Sequence, residues 1–368
     1  PVGRCRVSGP PLPVLAESMP SRLIVMLTVV LSGCSSVGYY SQSVQGQLGV
    51  MAASRPVEDV VDDSQTPDSV RVQLRALPGL REFAVKELAL PESGSYRLYA
   101  DVKREALVWN VVAAPVDSLK PREWCYPVIG CAAYRGYFDQ QAANDFADGL
   151  TAGGWDTAVQ PVPAYSTLGW FSDPLPSTVI AWPLPDIAGL VFHELAHEAL
   201  YVQGDSAFNE AYATVVEKEG VSRWLQQFGS AEQRDDFLRR EQRRLDFLNL
   251  LARTRERLAA LYAEGVGPDE LLLRKHATFQ HLGDEYLALK QEWGGHAGYD
   301  RWMQRPLNNA HLASINTYHA LEPAFRLILR RVDGDMAAFH AVCAELAAAP
   351  SVERKAHMDR LTAVANSD

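Results

Sequence analysis

The sequence predicts an α+β protein with an N-terminal mixed β-sheet lobe and a mainly helical C-terminal lobe. Strand-like segments interrupted by Pro, Gly and Trp are concentrated before residue 186. From Asp186 onward almost every segment has the 3.6-residue hydrophobic period of a helix. At 368 residues and 47% hydrophobic composition, the chain can bury a sizeable core. The net charge of -10 and the absence of a basic stripe exclude nucleic acid as an expected partner.

The N-terminal segment has the layout of a bacterial export signal. Arg22 precedes the apolar run Leu23–Leu31, and small residues and Cys34 follow. The run is too short to span a bilayer core of about 30 Å. Leu31-Ser32-Gly33-Cys34 resembles a lipoprotein lipobox, which implies lipidation at Cys34.

This segment also predicts the protein's location. Residues 1–34 are interpreted as upstream sequence and lipoprotein signal peptide, and residues 35–66 as a tether. The protein is expected to be lipid-anchored to a membrane of the bacterial cell envelope, with the domain that follows the tether in the periplasm. Ser35, in place of an acidic residue, favours the outer membrane by resemblance to other lipoproteins.

Residues 67–185 are predicted to form the N-terminal α+β lobe. The alternating segment between Tyr96 and Ala114 predicts a β-hairpin. A helix is expected at Gln140–Thr151, and strands at Thr157–Val162 and Thr178–Trp182. In an oxidising compartment, Cys125 and Cys131 favour a local disulfide over two free thiols or a metal site.

Residues 186–368 are predicted to form the helical lobe. Asp186 is a candidate N-cap for a helix from Ile187 to about Gln203, and Gly204-Asp205 can end this helix before a second one that starts near Ser206. These two helices lie in the segment VFHELAHEALYVQGDSAFNEAYATVVEKEG, residues 191–220.

This segment carries a candidate zinc site with one ion per chain. His193 and His197 are one helical turn apart and can present their imidazoles to a single ion. Glu194, between them, is positioned to accept a proton from the attacking water. A catalytic zinc needs a third protein ligand, and Glu210, Glu217 and Glu219 on the second helix are candidates.

HELAH followed by NEAYATVVE resembles the gluzincin aminopeptidases, which implies zincin-like active-site helices at the junction of the lobes. The resemblance implies that Glu210 is the third ligand, that Asn209 precedes it as in that family, and that Glu217 supports the ligands. Only 12 residues separate His197 from Glu210, fewer than that class has, so Glu217 remains an alternative ligand.

A broader resemblance, over roughly residues 31–345, is to a bacterial family called putative or predicted aminopeptidases. It is carried by the lipobox, YYSQSVQGQLGVM, WCYPVIGCAAYRGYF, LGWFSDPLPST, HELAH and LNNAHLASINTYH. The resemblance implies a metallopeptidase that acts on peptides. Gluzincins often stabilise the oxyanion with a tyrosine, which suggests Tyr318, although Tyr318 is equally consistent with a residue packed between helices. Asn308 and Asn309 are candidate substrate-binding neighbours.

The sequence therefore predicts a zinc metallopeptidase, with aminopeptidase preferred over endopeptidase. A peptide- or envelope-binding lipoprotein with a structural zinc is the alternative from another class. A helical scaffold without metal is a third interpretation. The sequence gives no indication of the oligomeric state.

Overall fold

The computed structural model describes residues 38–126, 130–167, 169–313 and 321–367. The predicted signal peptide, Cys34 and Tyr318 lie outside these described residues. The chain divides into two units, Pro1–Gln47 and Leu48–Asp368. In the first unit residues 38–47 are helical, and the second unit contains all the elements discussed below.

The predicted α+β class is confirmed, because small sheets occupy the N-terminal half of the chain and helices dominate the C-terminal half. The strands are β1 Ser54–Pro56, β2 Leu98–Ala100, β3 Val108–Pro115, β4 Trp124–Tyr126, β5 Gly130–Ala132, β6 Arg135–Tyr137, β7 Trp155–Val162 and β8 Leu175–Pro176. Their orders are β1-β2-β8, β6-β3-β7 and β4-β5. In the β6-β3-β7 sheet, called the central sheet below, β3 pairs antiparallel with both neighbours, and Val111 lies opposite Arg135 and Val159.

The helices follow the order of the chain. They are α1 Val57–Asp62, α2 Asp68–Leu88, α3 Gln140–Ala152, α4 Leu184–Ala199, α5 Ser206–Phe228, α6 Ala231–Ala263, α7 Pro268–Glu292, α8 Asp300–Met303, α9 Glu322–Arg331, α10 Met336–Ala348 and α11 Ser351–Ala365. Within the described residues, no helix is both long and apolar enough to cross a membrane.

Two local predictions for the N-terminal half are wrong. The segment between Tyr96 and Ala114 is not a hairpin, because β2 pairs with β1 and β8 whereas β3 pairs with β6 and β7. Residues Ser177–Val179 form a 3-10 turn in place of the strand expected at Thr178–Trp182. Short apolar runs carry little information about their partners, which lie far away in sequence. The helix at Gln140 and the strand ending at Val162 are present as expected.

The main core joins the two halves of the chain around α4 and α5. Leu77, Leu80 and Leu88 of α2 are buried in the same cluster as Phe192 of α4 and Phe325 of α9. A separate cluster lies between α6 and α7, where Leu251, Leu258 and Leu282 are buried. The helices that carry the candidate ligands are therefore packed on several sides, which fixes their side chains.

Three cysteines lie within the described residues. Cys125 and Cys131 form a disulfide across paired positions of β4 and β5, with an S–S distance of 1.97 Å. Cys343 is a free thiol buried in the main core, where burial raises its pKa above the usual range. A buried, neutral thiol of this kind packs as a small apolar side chain.

The contact between α4 and α5 depends on a glycine. A Cβ atom on Gly220 would lie 2.6 Å from Leu88 Cδ1 and 2.7 Å from Phe192 Cδ2. We expect Gly220→Ala to lower the free energy of unfolding by about 1–3 kcal/mol, because the added methyl overpacks the core. Gly283→Ala is the matched control, since nothing lies within 4 Å of the Cβ position on this helical glycine. Gly283→Ala is expected to raise the free energy of unfolding by up to about 1 kcal/mol, because alanine has less backbone freedom than glycine in the unfolded chain. Denaturant unfolding of both variants measures their free energies of unfolding. Equal changes in the two variants would contradict the close contact at Gly220.

Candidate metal centre

The helix with the two site histidines begins earlier than predicted. Its N-cap is Pro183, with Pro185 in the first turn, and Asp186 lies inside the first turn instead of capping it. Asp186 instead accepts a hydrogen bond from Arg240 of α6 at 2.6 Å. The helix ends at Ala199, and Leu200 is extended. Prolines are well tolerated at these first positions because the N–H groups there have no partner within the helix.

A short, tightly held loop connects this helix to α5. Asp205 caps α5 by accepting a hydrogen bond from Phe208 N at 3.2 Å. The buried Asn209 side chain accepts from Val202 N and donates to Val202 O, both at 2.8 Å. Arg354 of α11 donates to the second oxygen of Asp205 at 2.8 Å. Asn209 therefore fixes the loop immediately before Glu210.

His193, His197 and Glu210 converge in a group that could hold a metal ion. The two Nε2 atoms are 3.2 Å apart. Glu210 Oε2 lies 3.4 Å from His193 Nε2, and Glu210 Oε1 lies 3.8 Å from His197 Nε2. Ligands at about 2.0–2.2 Å from a tetrahedral zinc are themselves separated by roughly 3.3 Å, so the spacing fits such an ion.

Glu217 lies on the other side of the His193 ring from this group. Its Oε2 is 3.1 Å from His193 Nδ1, within hydrogen-bond distance of the ring N–H. Glu210 faces the Nε2 atoms of both histidines, whereas Glu217 contacts the opposite nitrogen of one ring, which favours Glu210 as the third ligand. Glu219 pairs with Arg223 at 2.7 Å instead.

Glu217 begins a chain of partly buried ion pairs. Lys218 Nζ lies 2.8 Å from Glu217 and 3.0 Å from Glu241 of α6. The Arg244 guanidinium lies 3.1 Å from the Glu241 carboxylate and 2.9 Å from the Glu322 carboxylate of α9, so it links the two. Each carboxylate in the chain has a positive neighbour, which offsets the cost of burying it. The chain ties the Glu217 carboxylate to two further helices.

The surroundings shift the pKa values of Glu194, His197 and His193 away from their usual values. Burial raises the pKa of Glu194 to about 7, with contributions from Glu210. Burial also lowers the pKa of His197 to about 4. At His193 burial acts in the same direction, but hydrogen bonds with Glu210 and Glu217 outweigh it and raise the pKa well above the usual value. Perturbed groups in one cluster are typical of functional sites.

The His197 ring differs from the His193 ring at the nitrogen that faces away from the group. Its Nδ1 atom is buried without a hydrogen-bond partner among the described residues. Its Nε2 atom is directed at the group formed with His193 and Glu210. A neutral ring that binds an ion through Nε2 carries its proton on Nδ1, and the described residues offer this proton no acceptor, in contrast to His193.

Tyr201 adds a phenol at the edge of this group, which the sequence reasoning missed. Its ring packs edge-on against the His197 ring with centroids 6.5 Å apart, and 37% of the residue is exposed. Burial and then the charge of Glu210 raise its pKa. Its position four residues after His197, inside the helix predicted to reach about Gln203, was the available signal, although Tyr201 lies beyond the end of α4.

The side chains of Asn308 and Asn309 contact backbone groups of β3, β7 and the loop after β3. Asn309 is fully buried, and its side chain donates to the carbonyl oxygens of Pro115, Val116 and Ser118. Asn308 donates to Thr157 O at 2.8 Å. These amides satisfy backbone groups of the central sheet and its loop, which is a structural role.

The contact between Glu217 and the His193 ring leads to a testable prediction. We expect Glu217→Gln to weaken metal binding by roughly 10- to 100-fold, the usual effect of removing a carboxylate that supports a histidine ligand. Glu219→Gln is the matched control on the same helix, because its carboxylate pairs with Arg223 outside the group. Competition for zinc with a chromophoric chelator measures both affinities. Equal affinities in the two variants would contradict the role of Glu217.

Comparison with known proteins gives one match. Residues 38–358 match the family model described as "Putative aminopeptidase". No curated protein and no solved structure matches the chain. The matched region includes every residue of the candidate metal group.

Proposed function

This chain belongs to the putative aminopeptidase family, and we propose that it is a zinc-dependent peptidase with His193, His197 and Glu210 as ligands. One observation carries the proposal: two imidazole Nε2 atoms and a carboxylate converge at zinc-like separations beside a buried glutamate. The preferred activity is that of an aminopeptidase of the gluzincin type. The family supports a peptidase, and the metal and the mechanism are our inference.

The residues around the group have separate tasks. His193, His197 and Glu210 would hold a zinc ion, which would supply Lewis-acid chemistry by polarising the scissile carbonyl and lowering the pKa of the attacking water. Glu194, with a pKa of about 7, takes the proton from the attacking water and passes it to the leaving amine. Glu217 keeps His193 in the tautomer that presents Nε2. Tyr201 offers a hydrogen bond donor to the oxyanion that develops on the carbonyl.

A structural zinc in a non-catalytic binding protein is the competing proposal. Structural zinc sites are closed by four protein ligands, whereas catalytic sites have three and leave one position for substrate. Within the described residues the candidate group contains three side chains, which favours catalysis. The proposed location is the bacterial cell envelope, on a lipid anchor at Cys34, and this part of the proposal rests on the sequence alone.

The proposal is tested by incubating the purified protein with a mixture of peptides before and after removal of metal with a chelator. Mass spectrometry of the products is expected to show cleavage that stops on chelation and returns with zinc. Cleavage that continues in the metal-free protein would overturn the zinc mechanism. Zinc binding without cleavage of any peptide would instead favour the binding protein.

A further inference from the structure

The hairpin of β4 and β5 contains none of the candidate metal ligands, but it depends on a covalent bond. Within the described strands, β4 and β5 pair only with each other. Each strand has three residues, and a two-stranded hairpin of this size is marginally stable in water by itself. The disulfide between Cys125 and Cys131 joins paired positions of the two strands. It therefore supplies a constraint that the short hairpin needs to keep its shape.

The two ends of the hairpin have different neighbours. At one end Trp124 is buried and lies near Phe146 of α3, with ring centroids 6.3 Å apart. At the other end Gly130 lies against the loop between α4 and α5. A Cβ atom on Gly130 would lie 3.0 Å from both Gln203 Cγ and Gly204 N. The hairpin therefore connects α3 to the loop that leads into α5.

The loop that Gly130 contacts sets the position of the third candidate ligand. Asn209, which immediately precedes Glu210, holds Val202 of this loop by two hydrogen bonds of 2.8 Å. Gly204 has a φ of 77°, in the left-handed region that favours glycine, and glycine gives this point of the loop more backbone freedom than another residue would. Gly130 packs against this point. A displaced loop would shift the start of α5 and the Glu210 carboxylate with it.

The disulfide is accessible to a soluble reductant, because Cys125 is exposed. A dithiol attacks one sulfur to form a mixed disulfide, and its second thiol then releases the remaining cysteine. The two cysteines gain two electrons and two protons, and the dithiol becomes a cyclic disulfide. Reduction leaves Trp124 packed against α3 and removes the covalent constraint near Gly130.

We propose that the disulfide between Cys125 and Cys131 controls the metal site, with Gly130 as the positioning residue through which it acts on the loop before α5. In the oxidised protein the closed hairpin holds the loop so that Glu210 faces the two histidines. In the reduced protein the Gly130 end of the hairpin moves away from the loop, and the Glu210 carboxylate is held less firmly. The site therefore binds zinc most tightly in an oxidising compartment. This inference rests on the proposed zinc site and adds redox control to it.

The double variant Cys125→Ser with Cys131→Ser opens the hairpin without creating thiols that would bind zinc themselves. We expect it to bind zinc roughly 10- to 100-fold more weakly than the wild type, the usual effect of losing a contact that orients a metal ligand. Competition with a chromophoric chelator measures both affinities on the full chain. An affinity equal to that of the wild type overturns the proposal.

Gly130→Ala tests the contact with the loop while the disulfide stays closed. Gly130 has a φ of 79°, and the added Cβ would press on Gln203 and Gly204. Gly154→Ala is the matched control, because Gly154 has a φ of 84° and nothing lies within 4 Å of its Cβ position. Both substitutions strain the backbone, but only Gly130→Ala is expected to weaken zinc binding, by about tenfold. An equal loss of affinity in the two variants counts against a specific contact at Gly130 and overturns its positioning role.

Hydrogen exchange of the Val202 amide gives a readout that needs no metal. This amide donates to Asn209 Oδ1 at 2.8 Å. We expect it to exchange about tenfold faster in the double serine variant, whereas amides in the middle of α6 keep their rates. Treatment of the wild type with dithiothreitol should give the same acceleration, and reoxidation should reverse it. A rate that does not change when the hairpin opens contradicts the proposal.

These measurements separate the failure of redox control from the failure of the peptidase function. Peptide cleavage by the zinc-loaded wild type, with equal zinc affinities in the wild type and the double serine variant, overturns redox control alone. Zinc binding that depends on the disulfide, without cleavage of any peptide, overturns the peptidase function alone. Absence of zinc binding in the oxidised wild type overturns both.

Discussion

Replacement of Glu194 by glutamine is expected to reduce kcat for peptide hydrolysis by about 10²- to 10⁴-fold, the range for loss of a positioned general base. Glutamine keeps the shape of the side chain, which is 8% exposed, but cannot accept the proton of the attacking water. Zinc content is expected to stay the same, because the ligands are His193, His197 and Glu210. Steady-state kinetics and elemental analysis of the same preparation measure the two quantities.

The control for this variant is Glu219→Gln, in which the exchanged carboxylate pairs with Arg223 at 2.7 Å. This control should keep the kcat of the wild type within about twofold, the scatter expected for a partly exposed ion pair. An active Glu194→Gln protein with normal zinc content would remove Glu194 from the mechanism. Loss of zinc in that variant would instead place the glutamate among the ligands.

Removal of the third ligand should have the second large effect. We expect Glu210→Gln to lose bound zinc together with activity, because an amide oxygen is a much weaker ligand than a carboxylate. Removing the charge also takes away the carboxylate that lies 3.4 Å from His193 Nε2 and 3.8 Å from His197 Nε2. Zinc titration by calorimetry measures the loss of affinity.

Glu217→Gln is the informative comparison for Glu210→Gln, since both side chains belong to α5 and contact His193. The geometry predicts the larger loss of zinc affinity for Glu210→Gln. The reverse order would make Glu217 the ligand and leave the present assignment wrong. Circular dichroism of both variants checks that the helices remain folded.

The candidate ligands could be predicted from the sequence because helical spacing alone brings His193 and His197 to one face. The choice of Glu210 over Glu217 could not, because the two lie seven residues apart on the same helical face. It depends on where the loop held by Asn209 and Asp205 places the start of α5. That loop geometry follows from tertiary contacts, including the hydrogen bond from Arg354.

The fold class was predictable for a similar reason, since long periodic helices such as Ala231–Ala263 carry a strong local signal. The pairing of the short strands was not predictable. β2 and β3 pair with strands that lie outside the alternating segment to which both belong.

The most direct test of the account is a zinc titration of the metal-free protein during hydrolysis of a peptide with a free N-terminus. The account predicts that activity rises in proportion to added zinc and reaches a plateau at one equivalent per chain, the capacity of the single group formed by the described residues. Activity in the metal-free protein, or tight binding of one equivalent without hydrolysis, would contradict it.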